Sequence, residues 1–251
     1  MLKSQTIEKL KELKLKVMAD MLTEPEEGTL ELSFEDRFSL MVERQWLARK
    51  NARIKRLLAQ ARLGIAGACL EDIYYTEERS LDKKLIQTLS TCTYIEKKLN
   101  VVISGKTGTG KSFTACALGN CAARNGFRVA YYRVPELLLE IQEAKESRGY
   151  IGFMERLKNI KLLILDDVGL KSYSLEESRD ILEITEARYN QASTILSAQF
   201  PHSKWYDLFA DPTLADAVMD RIIHNAYIMP LDSKRSMREV TAEKVKISLE
   251  E

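Results

Sequence analysis

The residues best placed to do chemistry are GKTGTGKS, 105–112, which satisfy G-x-x-x-x-G-K-[ST] in full. Glycines in such a loop admit backbone angles that side chains forbid and let the main chain approach a ligand closely. The amides of Gly105, Lys106, Thr107, Gly108, Thr109 and Gly110 then turn inward around anionic oxygens, aided by the N-terminus of the next helix. Lys111 is expected to reach the β- and γ-phosphates of a nucleotide. The Ser112 hydroxyl should take one Mg²⁺ position, and the amides of Ser112 and Phe113 should meet the α-phosphate. An apolar run precedes the loop and a helical pattern follows it, which is the context the motif needs.

LLILDD, 162–167, reads as an apolar strand ending in two acids. Asp166 then lies at the carboxyl edge of a sheet, where open α/β folds bind ligands. It is the candidate to hold Mg²⁺ through water, and Asp167 the candidate to orient or deprotonate an attacking water. A third feature is an arginine in LADAVMDRIIHNAY, 214–227. Leu214, Val218 and Ile222 recur at helical spacing, and Arg221 falls on or beside their face. The positions three and four residues away hold Ala217, Val218, His224 and Asn225, none of them acidic. Arg221 therefore has no acidic partner in its own helix; an acid elsewhere in the subunit is the plainer reading, and the alternative depends on what the rest of the chain binds.

Five β-branched or apolar runs read as the strands that position these groups: NVVISG (100–105), FRVAYYRV (127–134), KLLILDD (161–167), STILSAQ (193–199) and AYIMPL (226–231). Helical patterns fall between them, near 111–125, 135–146, 175–191 and 214–225. Such alternation implies an α/β fold, a parallel sheet covered by helices on both faces. Ahead of it, Ile7, Leu10, Leu13, Val17 and Met21 form one helical stripe over residues 1–22. TEPEEG (23–28) breaks the chain, and SFED (33–36) caps a long helix to about residue 62. The reading is a small all-helical domain over 1–65, a linker with one helix (LDKKLIQTLSTCTYIEKK) over 66–98, and the α/β core over 99–251.

Composition bounds the rest. Lys and Arg number 38 against 37 Asp and Glu, so net charge favours no class of partner, and a nucleic-acid surface must come from local segregation. The four cysteines form no C-x-x-C pair, which argues against zinc and for reduced thiols. The start, MLKSQTIEKLKELK, is charged throughout, and no apolar run approaches the roughly 18 residues of a membrane span. A cytoplasmic protein with no membrane partner is expected.

Taken together, the phosphate loop, LLILDDVGL, DPTLADAVMDRIIHNAY and KRSMR resemble the IstB-type transposition helper ATPases. These are bacterial AAA+ proteins close to the DnaC helicase loaders. The resemblance spans most of the chain, including ERQWLARKNARIKRLLAQARL. Its specific part is PTLADA followed by DR, since the loop alone fits many NTPases. It implies an AAA+ core that binds ATP with Mg²⁺ and hydrolyses ATP. It implies Asp166 as the magnesium-site acid, Asp167 as the catalytic acid and Gln199 as the polar sensor beside the phosphate loop. Arg221 matches the arginine finger and Arg238 a second sensing arginine. Tyr74 and Tyr75 stand in the region that often touches the adenine in AAA+ proteins. The implied partners are duplex DNA, a transposase and further copies of the chain in an ATP-dependent oligomer.

Two departures stand out. Lys106 and Thr107 replace two prolines usual in the family, with the glycines intact. Asp167 replaces the Glu of many AAA+ proteins, and its carboxylate is one methylene shorter, so slow hydrolysis is expected.

The most basic stretch lies around 43–62. Arg49, Arg53 and Arg56 share one arc, while Arg44, Lys55 and Arg62 share another, with Lys50 nearby and Glu43 as the lone acid. Leu47, Ile54, Leu57 and Leu58 are expected to face a core, as is Trp46. The basic arcs read as DNA-backbone contacts, against the plainer reading of a solvated helix face. The rival function is a helicase loader, which differs in partner and not in ATP chemistry. A plain nucleotide-binding module or metabolite kinase is the third reading, and a kinase's arginine-rich lid is missing.

Overall fold

The computed structural model describes residues 3–25, 27–75 and 79–250. Three helices come first: α1 (Lys3–Glu12), α2 (Lys16–Thr23) and α3 (Phe34–Ala61). Up to Arg56 they form one unit, and Leu57–Glu251 forms a second.

In the first unit the stripe expected over 1–22 is interrupted. Lys14 takes a left-handed φ of +58°, and the Leu13 and Leu15 amides bond back to the carbonyls of Lys9 and Leu10 at 2.9 and 2.8 Å. That is a helix stop, and Leu13 ends largely exposed. Ser33 caps α3, its hydroxyl accepting the Asp36 amide at 3.1 Å. Met18, Ala19, Met41 and Gln45 are the buried centre, and Gln45 Oε1 accepts the Val17 amide at 3.1 Å. With 41 and 45 inward, residues 46 and 47 turn outward in steps of about 100°. Trp46 is 53% exposed and Leu47 41%, so neither is the core residue expected, whereas Leu57 is buried and Ile54 and Leu58 half-buried.

The second unit continues with α4 (Lys83–Ser90), α5 (Thr93–Glu96), β1 (Asn100–Ser104), α6 (Lys111–Arg124), β2 (Val129–Arg133), α7 (Val134–Glu146) and α8 (Tyr150–Asn159). It ends with β3 (Leu162–Val168), α9 (Leu175–Arg188), β4 (Ser193–Ala198), α10 (Pro212–Ile223), β5 (Ala226–Pro230) and α11 (Met237–Glu250). The strands pair in parallel, in the order β2-β3-β4-β1-β5. Period-two alternation sends their side chains to two cores. Val101, Ile103, Leu162, Ile164 and Ile195 pack with α6, α4 and α5 on one face. Val102, Leu163, Leu165 and Leu196 pack with α7, α8, α9 and α10 on the other. The stretch 66–98 contributes Ala68, Ile73, Ile86, Leu89, Tyr94 and Ile95 to the first core. Its single expected helix is two, because Cys92 takes φ +59° between α4 and α5. All four cysteines are free. Among the described residues, no helix is long and apolar enough to cross a membrane.

One buried charge ties the second core together. Arg188 is 2% exposed and donates to the carbonyls of Leu157, Ile160 and Ser193 and to the Thr194 hydroxyl. It thereby joins the ends of α8 and α9 to β4. Replacing it with methionine keeps much of the bulk but removes four hydrogen bonds, three of them to carbonyls at the ends of α8 and β4, so stability should fall by about 3 kcal/mol. A urea melt checks this, and an unchanged midpoint would mean that water takes over those acceptors.

Candidate functional site

The phosphate loop forms at the carboxyl end of β1 and opens α6. Its shape is held from within. The Thr109 hydroxyl and the Lys111 ammonium both donate to the Lys106 carbonyl at 2.9 Å, so a backbone oxygen does this work whatever side chain residue 106 carries. Gly105 has no room for a side chain: a Cβ there would sit 2.1 Å from the Leu231 carbonyl oxygen. The loop is also held from outside, where the Met237 amide donates to the Gly108 carbonyl at 2.7 Å. Lys106 and Thr107 are exposed, Thr109 and Lys111 are buried, and Ser112 and Phe113 lie half-buried in the first turn of α6.

Asp166 ends the apolar run of β3 at 2% exposure, and its carboxylate accepts two hydrogen bonds. Tyr131 Oη donates to Oδ2 at 2.9 Å, and the Asp167 amide donates to Oδ1 at 3.0 Å. Burial and the adjacent carboxylate push the Tyr131 phenol well up, so it stays protonated as a donor. Asp167 takes φ +59° where the β3–β4 pairing is irregular, and its Oδ2 accepts Arg133 Nε at 2.8 Å. Burial lowers the Lys111 ammonium, Asp166 and Asp167 pull it back up, and Arg238 pushes it down. These four charges therefore share one field. Gln199, exposed, follows Ala198 of β4, whose carbonyl accepts the Gly105 amide at 3.2 Å, so that amide extends the sheet pairing and does not turn inward as expected. Loop, acids, Gln199 and Arg238 thus gather at the carboxyl edge of the sheet.

Arg221 does not join them. It lies in the last turn of α10, and the side-chain amide of Asn100 donates to the carbonyls of Arg221 and Ile222 at 3.4 and 3.2 Å. Asn100 starts β1, whereas the phosphate loop follows its end, so a whole strand, roughly 13 Å, separates the two. Its guanidinium bonds to Glu186 of α9 and donates to the Ala217 carbonyl at 2.8 Å. The intrasubunit pairing weighed from the sequence is therefore present.

A nucleotide triphosphate with Mg²⁺ fits this donor set. The loop offers amides and a desolvated lysine, and Asp166 with the Ser112 hydroxyl would supply hard oxygen ligands of the kind Mg²⁺ takes alongside phosphate and water. Among the described residues no group of three or more His, Cys, Asp or Glu could hold a metal ion by itself. Tyr131, Arg133, Arg79 and Glu186 were not singled out from the sequence. Strand pairing sets Arg133 beside Asp166, and pairing order is invisible to motif reading.

The basic residues belong to the first unit's helix. Lys50, Arg53, Lys55 and Arg56 are exposed, and Arg44 is half-buried. Arg49, also exposed, donates to the Lys14 carbonyl at 3.2 Å, fastening α3 to the turn after α1. The Lys50 ammonium lies 4.8 Å over the Trp46 ring. Tyr74 offers its carbonyl to Arg79 at 2.9 Å, and Tyr75 is partly exposed.

A model of the IstB-like ATP-binding protein family matches residues 8–245. A putative insertion sequence ATP-binding protein of Sinorhizobium fredii is 36% identical over 240 residues, covering 95% of this chain and 98% of that one. Among solved structures, the DnaC helicase loader superposes with a TM-score of 0.56 at 16% identity, over 66% of this chain and 97% of the other. A replication initiator DnaA bound to AMPPCP and single-stranded DNA gives 0.55 at 23% identity, over 71% of this chain and about half, 54%, of that one. At those identities the structural likeness speaks for the AAA+ fold alone.

Proposed function

The chain belongs to the IstB-like ATP-binding proteins, and from that premise we propose that it is an ATPase that assembles on duplex DNA and assists a transposase. The observation that carries this reading is the separation of Arg221 from its own phosphate loop by the length of β1. A guanidinium that cannot meet its own nucleotide supports a site completed between copies. One copy supplies the loop, Asp166 and Asp167, and the next supplies Arg221.

Each residue then has a defined task. The loop amides and Lys111 bind the phosphates, and Lys111 comes to them already stripped of much of its water. Asp166 and the Ser112 hydroxyl would hold Mg²⁺, which would supply neutralising charge on the phosphates. Tyr131 keeps Asp166 aimed. Asp167 orients the attacking water and takes its proton, and Arg133 holds that carboxylate until it is needed. Gln199 reports the state of the phosphates from the neighbouring strand. Arg238, coupled to Lys111, relays the same state to α11. Arg221 of the neighbouring copy offsets charge developing on the transferred phosphoryl group. Binding then cements the seam between copies, and hydrolysis loosens it.

The basic face of α3 is read as the contact with DNA phosphates. Particle size by light scattering should rise when duplex DNA and a non-hydrolysable ATP analogue are both present, and stay low with either alone. DNA affinity should fall steeply with salt, with a log–log slope near −0.9 per phosphate contacted. A salt-independent affinity, or assembly that ignores nucleotide, counts against the reading.

A further inference from the structure

Arg79 is a second buried arginine, and it lies behind the phosphate loop. It is 6% exposed, and among the described residues no carboxylate bonds to it. Its Nη1 donates to the Tyr74 carbonyl at 2.9 Å, and its Nη2 donates to the Thr109 carbonyl at 3.0 Å and faces the Thr114 hydroxyl at 3.5 Å. Its Nε is buried without an acceptor among the described residues. Stripping a guanidinium of water for two carbonyls and a hydroxyl is costly. Helix capping does not require it, since Thr114 already bonds to the Gly110 carbonyl through both its amide and its hydroxyl at 2.9 Å.

What Arg79 does fix is the direction of one peptide. No peptide in the described chain is cis. In a trans peptide the C=O of one residue and the N–H of the next point opposite ways. With the Thr109 carbonyl drawn onto Arg79, the Gly110 N–H is turned to the far side of the loop. There it makes no hydrogen bond within the described residues. Gly110 is also the residue that lets the guanidinium come so close: its φ is +87°, and a Cβ there would lie 2.7 Å from Arg79 Nη2. The backbone of Arg79 is anchored in turn. It bridges to Ser233, while Ser80 and Asp232 exchange hydrogen bonds at 3.0 and 2.8 Å, just before the segment whose Met237 amide holds Gly108.

We propose that Arg79 is a positioning residue of the nucleotide site: it holds the 109–110 peptide so that the Gly110 amide faces the phosphates of the bound nucleotide. The proposal rests on the phosphate-loop reading and concerns the phosphates common to ADP and ATP, not the γ-phosphate alone. The test measures binding of a fluorescent ATP analogue, competed by ADP and by ATP, to wild type, Arg79→Met, Arg79→Lys and Lys111→Ala. Urea melts without nucleotide run alongside.

Arg79→Met should weaken ADP and ATP together by about tenfold to a hundredfold in the folded fraction. Arg79→Lys keeps one donor and should recover part of that loss. A merely structural arginine would lower the urea midpoint and leave the affinity of the folded fraction unmoved, which overturns the proposal. If Arg79→Met does not fold, the lysine variant decides alone, and wild-type affinity there overturns it equally. Failure of the phosphate-loop reading looks different: wild type itself would not bind, or Lys111→Ala would bind as wild type does.

Discussion

Mixing Arg221→Ala subunits with Lys111→Ala subunits in the presence of duplex DNA should restore part of an ATPase activity that neither has alone. Each variant by itself should lose most of its turnover: a finger of this kind contributes about 10³–10⁵ in rate, and a loop without its lysine holds the phosphates poorly. In a head-to-tail assembly the loop of one copy faces the arginine of the next, so an equal mixture leaves about a quarter of interfaces with both parts intact. Steady-state phosphate release should recover to about that fraction. The Glu186 pair does not stand in the way. Glu186 is 59% exposed and Arg221 27%, so the bond is a surface one, worth about 1 kcal/mol or less. In the proposed assembly a desolvated phosphate of the adjoining copy should outcompete it. The alternative is that the pair is all Arg221 does. In that case Arg221→Ala would turn over ATP near the wild-type rate, or the mixture would show no recovery.

That Arg221 lies far from its own loop was almost legible. A helix that feeds a parallel strand ends at the amino edge of the sheet, and a phosphate loop leaves the carboxyl edge. The five strands and the loop were readable because β-branched runs, glycines and a terminal acid pair carry their own physics. The interruptions were not. Lys14 and Cys92 take left-handed angles that only their surroundings enforce, so a periodic stripe looked continuous across each. α8 escaped because only Phe153 and Leu157 are buried along it, while Gly152 lowers its helical propensity. Trp46 read as core because large aromatics usually are, but Met41 and Gln45 had already set which side of α3 faces inward. Arg79, Tyr131 and Arg133 needed contacts between segments distant in sequence, which no local pattern records. Asp167 gained a reason from the structure. At φ +59° a short Asp or Asn is tolerated better than a longer side chain, so the shorter acid suits the irregular end of β3.

The same geometry sets apart the two acids. Asp166→Asn keeps a neighbour for the Tyr131 hydroxyl and an acceptor for the Asp167 amide, so the fold should hold. The site loses the buried carboxylate that the proposed reading gives to Mg²⁺ and that supports the Lys111 ammonium. ATP affinity should then lose its dependence on Mg²⁺, and turnover should fall at least about a hundredfold. Asp167→Asn suits the left-handed backbone and leaves the phosphate contacts alone. Its nucleotide affinity, with and without Mg²⁺, should match wild type, while phosphate release drops about a hundredfold as the base is lost. Asp167→Glu tests whether reach limits the rate. If the short carboxylate is the bottleneck, turnover rises despite the strained backbone; unchanged turnover means that reach is not limiting. Equilibrium binding with and without a chelator, beside steady-state phosphate release, separates the two acids. Equal loss of binding in the two asparagine variants would mean that both acids serve the metal and neither activates water.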